Sequence, residues 1–398
     1  MLTARTKSGT IFSLSNHYEK ENLLILRNNE EFFCPVCGEA VSLKLGNQRI
    51  YHFAHRSGTF CSDFHESESL YHLEGKLQLF QWLHMQGISA KLEYYDSLIG
   101  QRPDILFHFR GNKYALEYQC SPIPEEIFVK RTENYIHHHY IPFWILGGKH
   151  IKAKRGNVFS LSNFNYFFLR KTPSRQLVLP SYCSEEKRFH ILSKIHPFSI
   201  KNTTASSSIL SIHKTKIEEI LEPTLFNPIN FTKWANEMEK SMINSSLHAS
   251  PELNHFLHEI YPHNLNLYLL PPEIGLPVRH ALLIQTPPII WQTYLYVDVF
   301  QNKSPNTHID LRDVERIFND RIKINNIIIR NLPQLTSVNP FMVVREYFQL
   351  LERLGIIIKR DESVYQMQQG FMIPNSNREK EERKQAFFQK NSSILAKG

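Results

Sequence analysis

Two short apolar segments on either side of Gly111-Asn112 limit the fold of this chain more than any other part of its sequence. Both segments are rich in aromatic and aliphatic residues, and a Gly-Asn pair between such segments predicts a β-hairpin with a two-residue turn. With that turn, Asp104 lies opposite Gln119, and Glu117 lies diagonally across from Asp104. Because residues two apart in a strand share a face, the three polar side chains are predicted to converge on one side of the sheet.

Acidic and amide groups in otherwise apolar strands are unfavourable unless a partner satisfies them. Diagonal carboxylates, with Cβ atoms about 7 Å apart, can share one divalent ion. Mg2+ and Mn2+ prefer oxygen ligands and bridge to phosphate. We therefore predict Asp104 and Glu117 as ligands of Mg2+ or Mn2+, and Gln119 as the residue that orients the attacking water. Lys130 and Arg131 in the next predicted helix would add positive charge near the site.

The segment before the hairpin has helical apolar spacing and predicts a helix over residues 66–84. Glu68, His72 and Lys76 are spaced by four and form one stripe along this helix. Beside a metal site, such a stripe would supply a further ligand or contact the scissile phosphate. On spacing alone, a solvated face with one ordinary ion pair is an equal alternative.

A cluster of metal-ligand residues lies near the N-terminus. Cys34, Cys37, His52 and His55 fall in two short clips, and the segment between them predicts a hairpin. Four nitrogen and sulfur ligands suit a tetrahedral, structural zinc ion, and Cys61 is an alternative ligand in place of one histidine. The competing interpretation is that two free thiols and two histidines merely lie close together.

The length of 398 residues exceeds what one hydrophobic core usually serves. We predict a zinc-finger-like β domain at 1–62, a mixed α/β domain at 63–172, a mainly helical region at 173–374, and a charged tail at 375–398 that is a solvated helix or disordered. The sequence has no apolar run long enough for a membrane span and no signal-peptide pattern, which predicts a cytoplasmic protein. The net charge of +8 favours an acidic partner such as nucleic acid.

Five motifs, taken in order, resemble those of the CoiA family of competence proteins. They are Cys34-Pro-Val-Cys37, His52-Phe-Ala-His55, Glu68-Ser-Leu-Tyr-His72, Arg102-Pro-Asp104 and Glu117-Tyr-Gln-Cys-Ser121. The last two are similar to the PD-(D/E)xK nuclease signature, with Gln119 in the usual lysine place. The resemblance covers residues 1–170 well and the remainder loosely. It implies an α+β, restriction-endonuclease-like core with Asp104 and Glu117 as metal ligands, and a role on DNA in natural transformation and recombination, alongside other competence or recombination proteins.

Near the C-terminus, residues 339–355 predict a helix that begins near a proline and ends at a glycine, and two short strands follow. A helix followed by a hairpin is how a winged helix ends, so a winged helix is one interpretation of residues 285–370. The predicted helix carries Arg345 and Arg353 beside two glutamates. It could therefore contact DNA or dock another protein.

The leading hypothesis is a metal-dependent DNA nuclease that acts on DNA intermediates in competence and recombination. Its predicted catalytic residues are Asp104, Glu117, Gln119, Glu68, His72 and Lys76. The second hypothesis is a catalytically weak protein that keeps the nuclease fold and binds DNA or acts as a scaffold. For the hairpin acids themselves, the alternative interpretation is that Asp104 follows Pro103 at a strand entrance and Glu117 pairs with Arg102. An RNA-directed enzyme is a third hypothesis, since PD-(D/E)xK sites can serve either polymer.

Overall fold

The computed structural model describes residues 1–47, 50–56, 58–59, 61, 68–224, 230–335 and 338–395. The chain divides into two compact units. The first comprises residues 1–152, 164–192 and 207–224, and the second comprises 153–163, 193–206 and 225–398. The predicted domain boundary at 62–63 lies outside the described residues. Helices and sheets occur in both units, so the mixed α+β class is as expected.

The first unit begins with a five-stranded antiparallel sheet in the order β2-β1-β3-β4-β5. Its elements are β1 (Thr3–Thr6), β2 (Ile11–Ser13), α1 (Lys20–Asn29), β3 (Phe32–Phe33), β4 (Ala40–Lys44) and β5 (His52–His55). Strands β4 and β5 form the predicted N-terminal hairpin, in which Lys44 pairs with His52. A small core that includes Leu23, Phe32 and Phe53 holds this sheet together.

The middle of the first unit follows the order helix, three strands, helix, strand. Its elements are α2 (Leu70–Met85), β6 (Ala90–Leu92), β7 (Ile105–Phe109), β8 (Asn112–Gln119), α3 (Glu125–His137) and β9 (Ile141–Gly147). Strands β6, β7 and β8 are antiparallel, and β9 runs parallel to β8. Helix α2 begins at Leu70, with the side chain of Ser69 capping its first turn. Residues 66 and 67 of the predicted helix lie outside the described residues.

The hairpin of β7 and β8 has a different register from the one predicted. Ile105 pairs with Leu116 and Phe109 pairs with Asn112, so the two turn residues are Arg110 and Gly111. Both have positive φ, at 49° and 76°, as type I′ hairpin turns require. The observed register stacks two buried rings of the hairpin on each other, with centroids 4.8 Å apart.

This register moves the entrance of β7 by two residues relative to β8. The predicted direct pairing of Asp104 with Gln119 is therefore wrong, and Asp104 lies beside the Glu117–Tyr118 part of β8. The observed turn places Gly111 second, as type I′ turns favour, and it brings Phe107 opposite Tyr114.

The large sheet continues where helix was predicted. It has the order β10-β11-β15-β14-β13-β9-β8-β7-β6, and β12 pairs with β13. The added elements are β10 (Lys152–Ala153), β11 (Val158–Ser160), α4 (Asn163–Tyr166), β12 (Arg170–Lys171), β13 (Leu177–Cys183), β14 (Arg188–Pro197), β15 (Asn202–Ser211) and α5 (Ile217–Leu221). The expectation of a mainly helical region from residue 173 is wrong for residues 177–211. Strand β13 is buried on both faces, so it lacks the alternation that marks an exposed strand.

The second unit is mainly helical beyond residue 230. Its elements are α6 (Phe231–Leu247), α7 (Pro251–Ile260), α8 (Pro288–Leu295), β16 (His308–Asp310), α9 (Leu311–Lys323), α10 (Phe341–Arg353), β17 (Ile357–Lys359), β18 (Val364–Met367) and α11 (Asn377–Leu395). The last three strands form an antiparallel sheet in the order β16-β18-β17.

The charged C-terminal tail forms a helix, which is one of the two predicted alternatives. Helix α11 buries Phe388 and Leu395, and Lys380 and Lys384 form ion pairs with Glu239 of α6. The helix is thus anchored along one side. Among the described residues, no helix combines the length and the apolar character that crossing a membrane requires.

Candidate active site

The N-terminal ligand group forms where the turn after β3 meets β5. The thiols of Cys34, Cys37 and Cys61 and a ring nitrogen of His55 lie within 4.8 Å of one another. Cys37 Sγ is 3.4 Å from Nε2 of His55. Gly38, with φ of +76°, turns the chain just after the second cysteine. Three thiols and one imidazole are a donor set typical of structural zinc sites.

His52 does not belong to this group, which corrects the predicted ligand set. Its Nδ1 lies 3.0 Å from the carbonyl oxygen of Ile50 instead. His52 and His55 are three residues apart on one strand, so their side chains point to opposite faces. Cys61, which sequence analysis kept as an alternative, completes the group in its place.

A second group of possible metal ligands surrounds the entrance of β7. Carboxylate oxygens of Glu68 and Asp104 and a ring nitrogen of His72 lie within 4.8 Å of one another. His72 Nε2 is 3.4 Å from Oδ2 of Asp104, and the backbone N–H of Tyr118 donates to the same oxygen at 2.9 Å. The three side chains are 14–17% exposed, so a small ion or a phosphate can reach them.

Lys76 of α2 lies inside this acidic group. Its side chain is 1% exposed, and its Nζ lies 3.2 Å from Oδ1 of Asp104, 2.5 Å from Oε1 of Glu93, and in contact with Glu68. Burial alone would lower the pKa of Lys76, but the surrounding carboxylates outweigh that effect and hold the pKa well above its ordinary value. The stripe that the sequence spaces by four is therefore brought together around Asp104.

The pKa values of the carboxyl groups of Asp104 and Glu68 are shifted in the opposite direction, downwards. Burial would raise the pKa of Asp104, yet the charges of Lys76 and His72 lower it below the ordinary value. The pKa of Glu68 is held well below its usual range, because the charge of Lys76 outweighs the effect of burial. Both acids are therefore ionised at neutral pH. The group offers two carboxylates and one imidazole, a donor set that fits Mn2+ and, through its oxygens, Mg2+.

Glu117 and Gln119 do not converge on Asp104 in the way that the sequence predicts. Oε1 of Glu117 accepts a hydrogen bond of 2.5 Å from the Tyr135 hydroxyl and also contacts Arg131, and both partners belong to α3. The Gln119 amide donates to the carbonyl oxygen of Ser121 at 2.8 Å. The other members of the metal-ligand group around Asp104 are His72 of α2 and Glu68, which precedes the N-cap of that helix.

The acidic group nevertheless affects the pKa of Glu117. Burial raises its pKa, the charge of Arg131 opposes this effect, and the charge of Asp104 adds to it. The sequence-based expectation of positive charge near the site thus applies to Arg131. Lys130, its neighbour on α3, is exposed.

Sequence analysis missed Glu93, a buried carboxylate just after β6 that contacts Lys76. No motif marks this residue, since it is a single acid at the end of a short strand. The nearest signal is that Glu93 follows the alternating apolar residues of β6. Many exposed strand ends share that pattern.

Comparisons with known proteins match three family descriptions along the chain. These are the N-terminal domain of competence protein CoiA at residues 15–64, its nuclease-like domain at 68–225, and its C-terminal domain at 229–380. Competence protein CoiA of Bacillus subtilis (strain 168) is 31% identical over 339 residues, which is 85% of this chain and 90% of that protein. Comparison with solved structures finds no significant match.

The central part of the chain is thus a nuclease-like domain, which carries the acidic group described above. The chain belongs to the CoiA family of competence proteins.

Proposed function

We propose that the protein is a divalent-metal-dependent deoxyribonuclease that acts on DNA intermediates of transformation and recombination. The observation that carries this proposal is the buried contact of Lys76 with Asp104, in a group that also holds Glu68 and His72. A PD-(D/E)xK site needs a lysine beside its acids, and Gln119 stands where that lysine is usual. Lys76 from α2 supplies the missing ammonium group from another element.

In this proposal Asp104, Glu68 and His72 hold Mn2+ or Mg2+. A bound ion would supply a water molecule of lowered pKa and would neutralise charge on the phosphate. Lys76 holds the two carboxylates in position through its buried contacts with Glu68 and Asp104.

Two other predicted residues take different parts. Glu117 holds Arg131 through a buried ion pair, and the 17% exposure of the arginine leaves it able to reach a phosphate oxygen. Glu117 therefore acts as a positioning residue rather than as the principal metal ligand. In this proposal Gln119 is not assigned to orienting the water, because its amide nitrogen donates to the carbonyl oxygen of Ser121.

We infer that the N-terminal group binds zinc in a structural role. Cys34, Cys37, His55 and Cys61 supply four ligands, which completes a tetrahedral site and leaves no open position for water.

We further infer that α8, β16, α9, α10, β17 and β18 form a winged helix, because their order and the antiparallel sheet follow that of winged-helix domains. Arg345, Gln349 and Arg353 are spaced by four on the exposed side of α10. This arrangement favours the second candidate function, a protein that binds DNA without cutting it.

A cleavage assay separates the two functions. The purified chain is incubated with Mn2+, Mg2+ or chelator and with labelled single-stranded DNA, duplex DNA or RNA. We expect metal-dependent cleavage of DNA that Asp104→Asn reduces to background and that the control Asp313→Asn, an exposed acid on α9, leaves unchanged. Cleavage by Asp104→Asn at the wild-type rate would refute the nuclease proposal. Salt-dependent DNA binding without turnover in any metal would support the second function.

A further inference from the structure

Glu93 is a buried carboxylate that has no role in the proposed function as described so far. Its side chain is 3% exposed. Oε2 accepts three hydrogen bonds from the start of the chain, from the backbone N–H groups of Leu2 at 2.8 Å and Thr3 at 2.9 Å, and from the Thr3 hydroxyl at 3.0 Å. Three donors on a single oxygen fix the carboxylate in place.

The other oxygen of Glu93 faces the acidic group. Oε1 lies 2.5 Å from Nζ of Lys76, whose ammonium also contacts Asp104 and Glu68. Glu93 itself is not a member of the metal-ligand group. The positive charge of Lys76 is thus shared among three carboxylates, of which two are candidate ligands and one is not, and the N-terminal ammonium of Met1 lies 2.5 Å from Oε2 of Glu68.

The negative charge of Glu93 affects how strongly the acidic group can bind a cation. Without the charge of Glu93, Lys76 would draw only on Glu68 and Asp104, and its ammonium would compete directly with a divalent cation for their oxygens. With Glu93 in place, three carboxylates face the two ammonium groups of Lys76 and Met1, so the group keeps a net negative charge for a divalent cation. Water is largely excluded here, so such interactions are weakly screened.

We propose that Glu93 is a positioning residue, which holds the Lys76 ammonium and offsets its charge so that Glu68 and Asp104 remain available to a divalent cation. This inference rests on the proposed function, because the cation is the one that the nuclease proposal places there. A purely structural alternative is that Glu93 only ties the start of β1 to the end of β6.

The test measures Mn2+ binding to the full chain by calorimetry and by electron paramagnetic resonance, beside thermal unfolding. Glu93→Gln keeps the shape of the side chain and removes its charge. We expect its Mn2+ dissociation constant to rise about tenfold, as for a coupled pair of neighbouring groups. The control Glu74→Gln changes the same residue type on α2 outside the acidic group, and should leave Mn2+ affinity unchanged.

A double-mutant cycle shows whether Glu93 acts through Lys76. In a Lys76→Met background the lysine ammonium no longer competes for the ligands, so adding Glu93→Gln should weaken Mn2+ binding little further. An equal loss of affinity in both backgrounds would overturn the proposal. So would a lower melting temperature for Glu93→Gln with unchanged Mn2+ affinity, which is the result that the structural alternative predicts.

Two further outcomes are decisive. If Glu93→Gln fails to fold, Thr3→Val removes one of the three donors to Oε2 and should raise the Mn2+ dissociation constant about two- to threefold; no change in that variant would overturn the proposal. If the wild-type chain binds no Mn2+, the proposed nuclease function fails. Wild-type binding that Glu93→Gln does not weaken refutes the positioning role alone.

Discussion

Replacing Gly75 by alanine should destabilise the protein, although helix propensity predicts the opposite. Gly75 lies inside α2, where alanine is favoured over glycine by about 1 kcal/mol. A Cβ atom at this position would lie 2.2 Å from Cε1 and 2.8 Å from Cζ of Tyr118. The tyrosine ring cannot move aside cheaply, because it is fully buried and its hydroxyl donates to the carbonyl oxygen of Tyr182 at 3.0 Å.

The size of the effect follows from comparing the cost of the steric overlap with the gain in helix propensity. Overpacking a core typically costs about 1–3 kcal/mol, and an overlap with an aromatic ring belongs near the upper end. After subtraction of the propensity gain, Gly75→Ala should lower the free energy of unfolding by about 2 kcal/mol. That loss lowers the melting temperature by about 4–8 °C in a unit of this size. The backbone N–H of Tyr118 donates to Asp104, so Mn2+ binding should weaken as well.

Thermal and urea unfolding of the full chain measure this effect. Gly46→Ala is the matched control, since a Cβ there meets no atom within 4 Å, and it should change stability by less than about 0.5 kcal/mol. Tyr118→Leu removes the two clashing ring atoms, so adding Gly75→Ala to it should cost nothing further. An unchanged or raised melting temperature for Gly75→Ala alone would refute the argument.

Two other predictions concern the zinc group and pH. Cys61→Ser should lose bound zinc, measured by mass spectrometry of the metal, whereas His52→Ala should keep it; the reverse result would restore the ligand set that the sequence predicted. Burial lowers the pKa of His196 to about 4, against about 6.5 when unfolded. Between these values the unfolded chain binds the proton first, so the free energy of unfolding should fall by up to about 3 kcal/mol as pH drops from 6.5 to 4. His196→Gln should flatten that pH dependence of melting, and the exposed control His248→Gln should not; an equal slope in both variants would contradict the assignment.

The sequence by itself determined the elements whose signals are local. The turn signals predicted both hairpins, and apolar spacing predicted α2, α3 and α10. Cys34 and Cys37 were recognisable as a pair of metal ligands because they lie close together in the sequence. Asp104 was recognisable as an acid at the entrance of an apolar strand. Spacing by four identified His72 and Lys76 as neighbours on α2, because adjacent helical turns set that geometry. Glu68 precedes the N-cap of α2 and joins them through its contact with Lys76.

Only the tertiary structure decided which of these side chains meet. The register of β7 and β8 stacks two buried rings on each other. The alternation of β5 turned His52 away from the N-terminal ligand group, in which Cys61 takes its place. Glu117 pairs with Arg131, and Glu93 joins Lys76 to β1, through contacts between residues distant in the chain. Strand β13 is recognisable only as part of a sheet that covers it, because a strand buried on both faces shows no period of two. Propensity and spacing act over a few residues, whereas ligand sets, ion pairs and registers are settled by packing across the whole core.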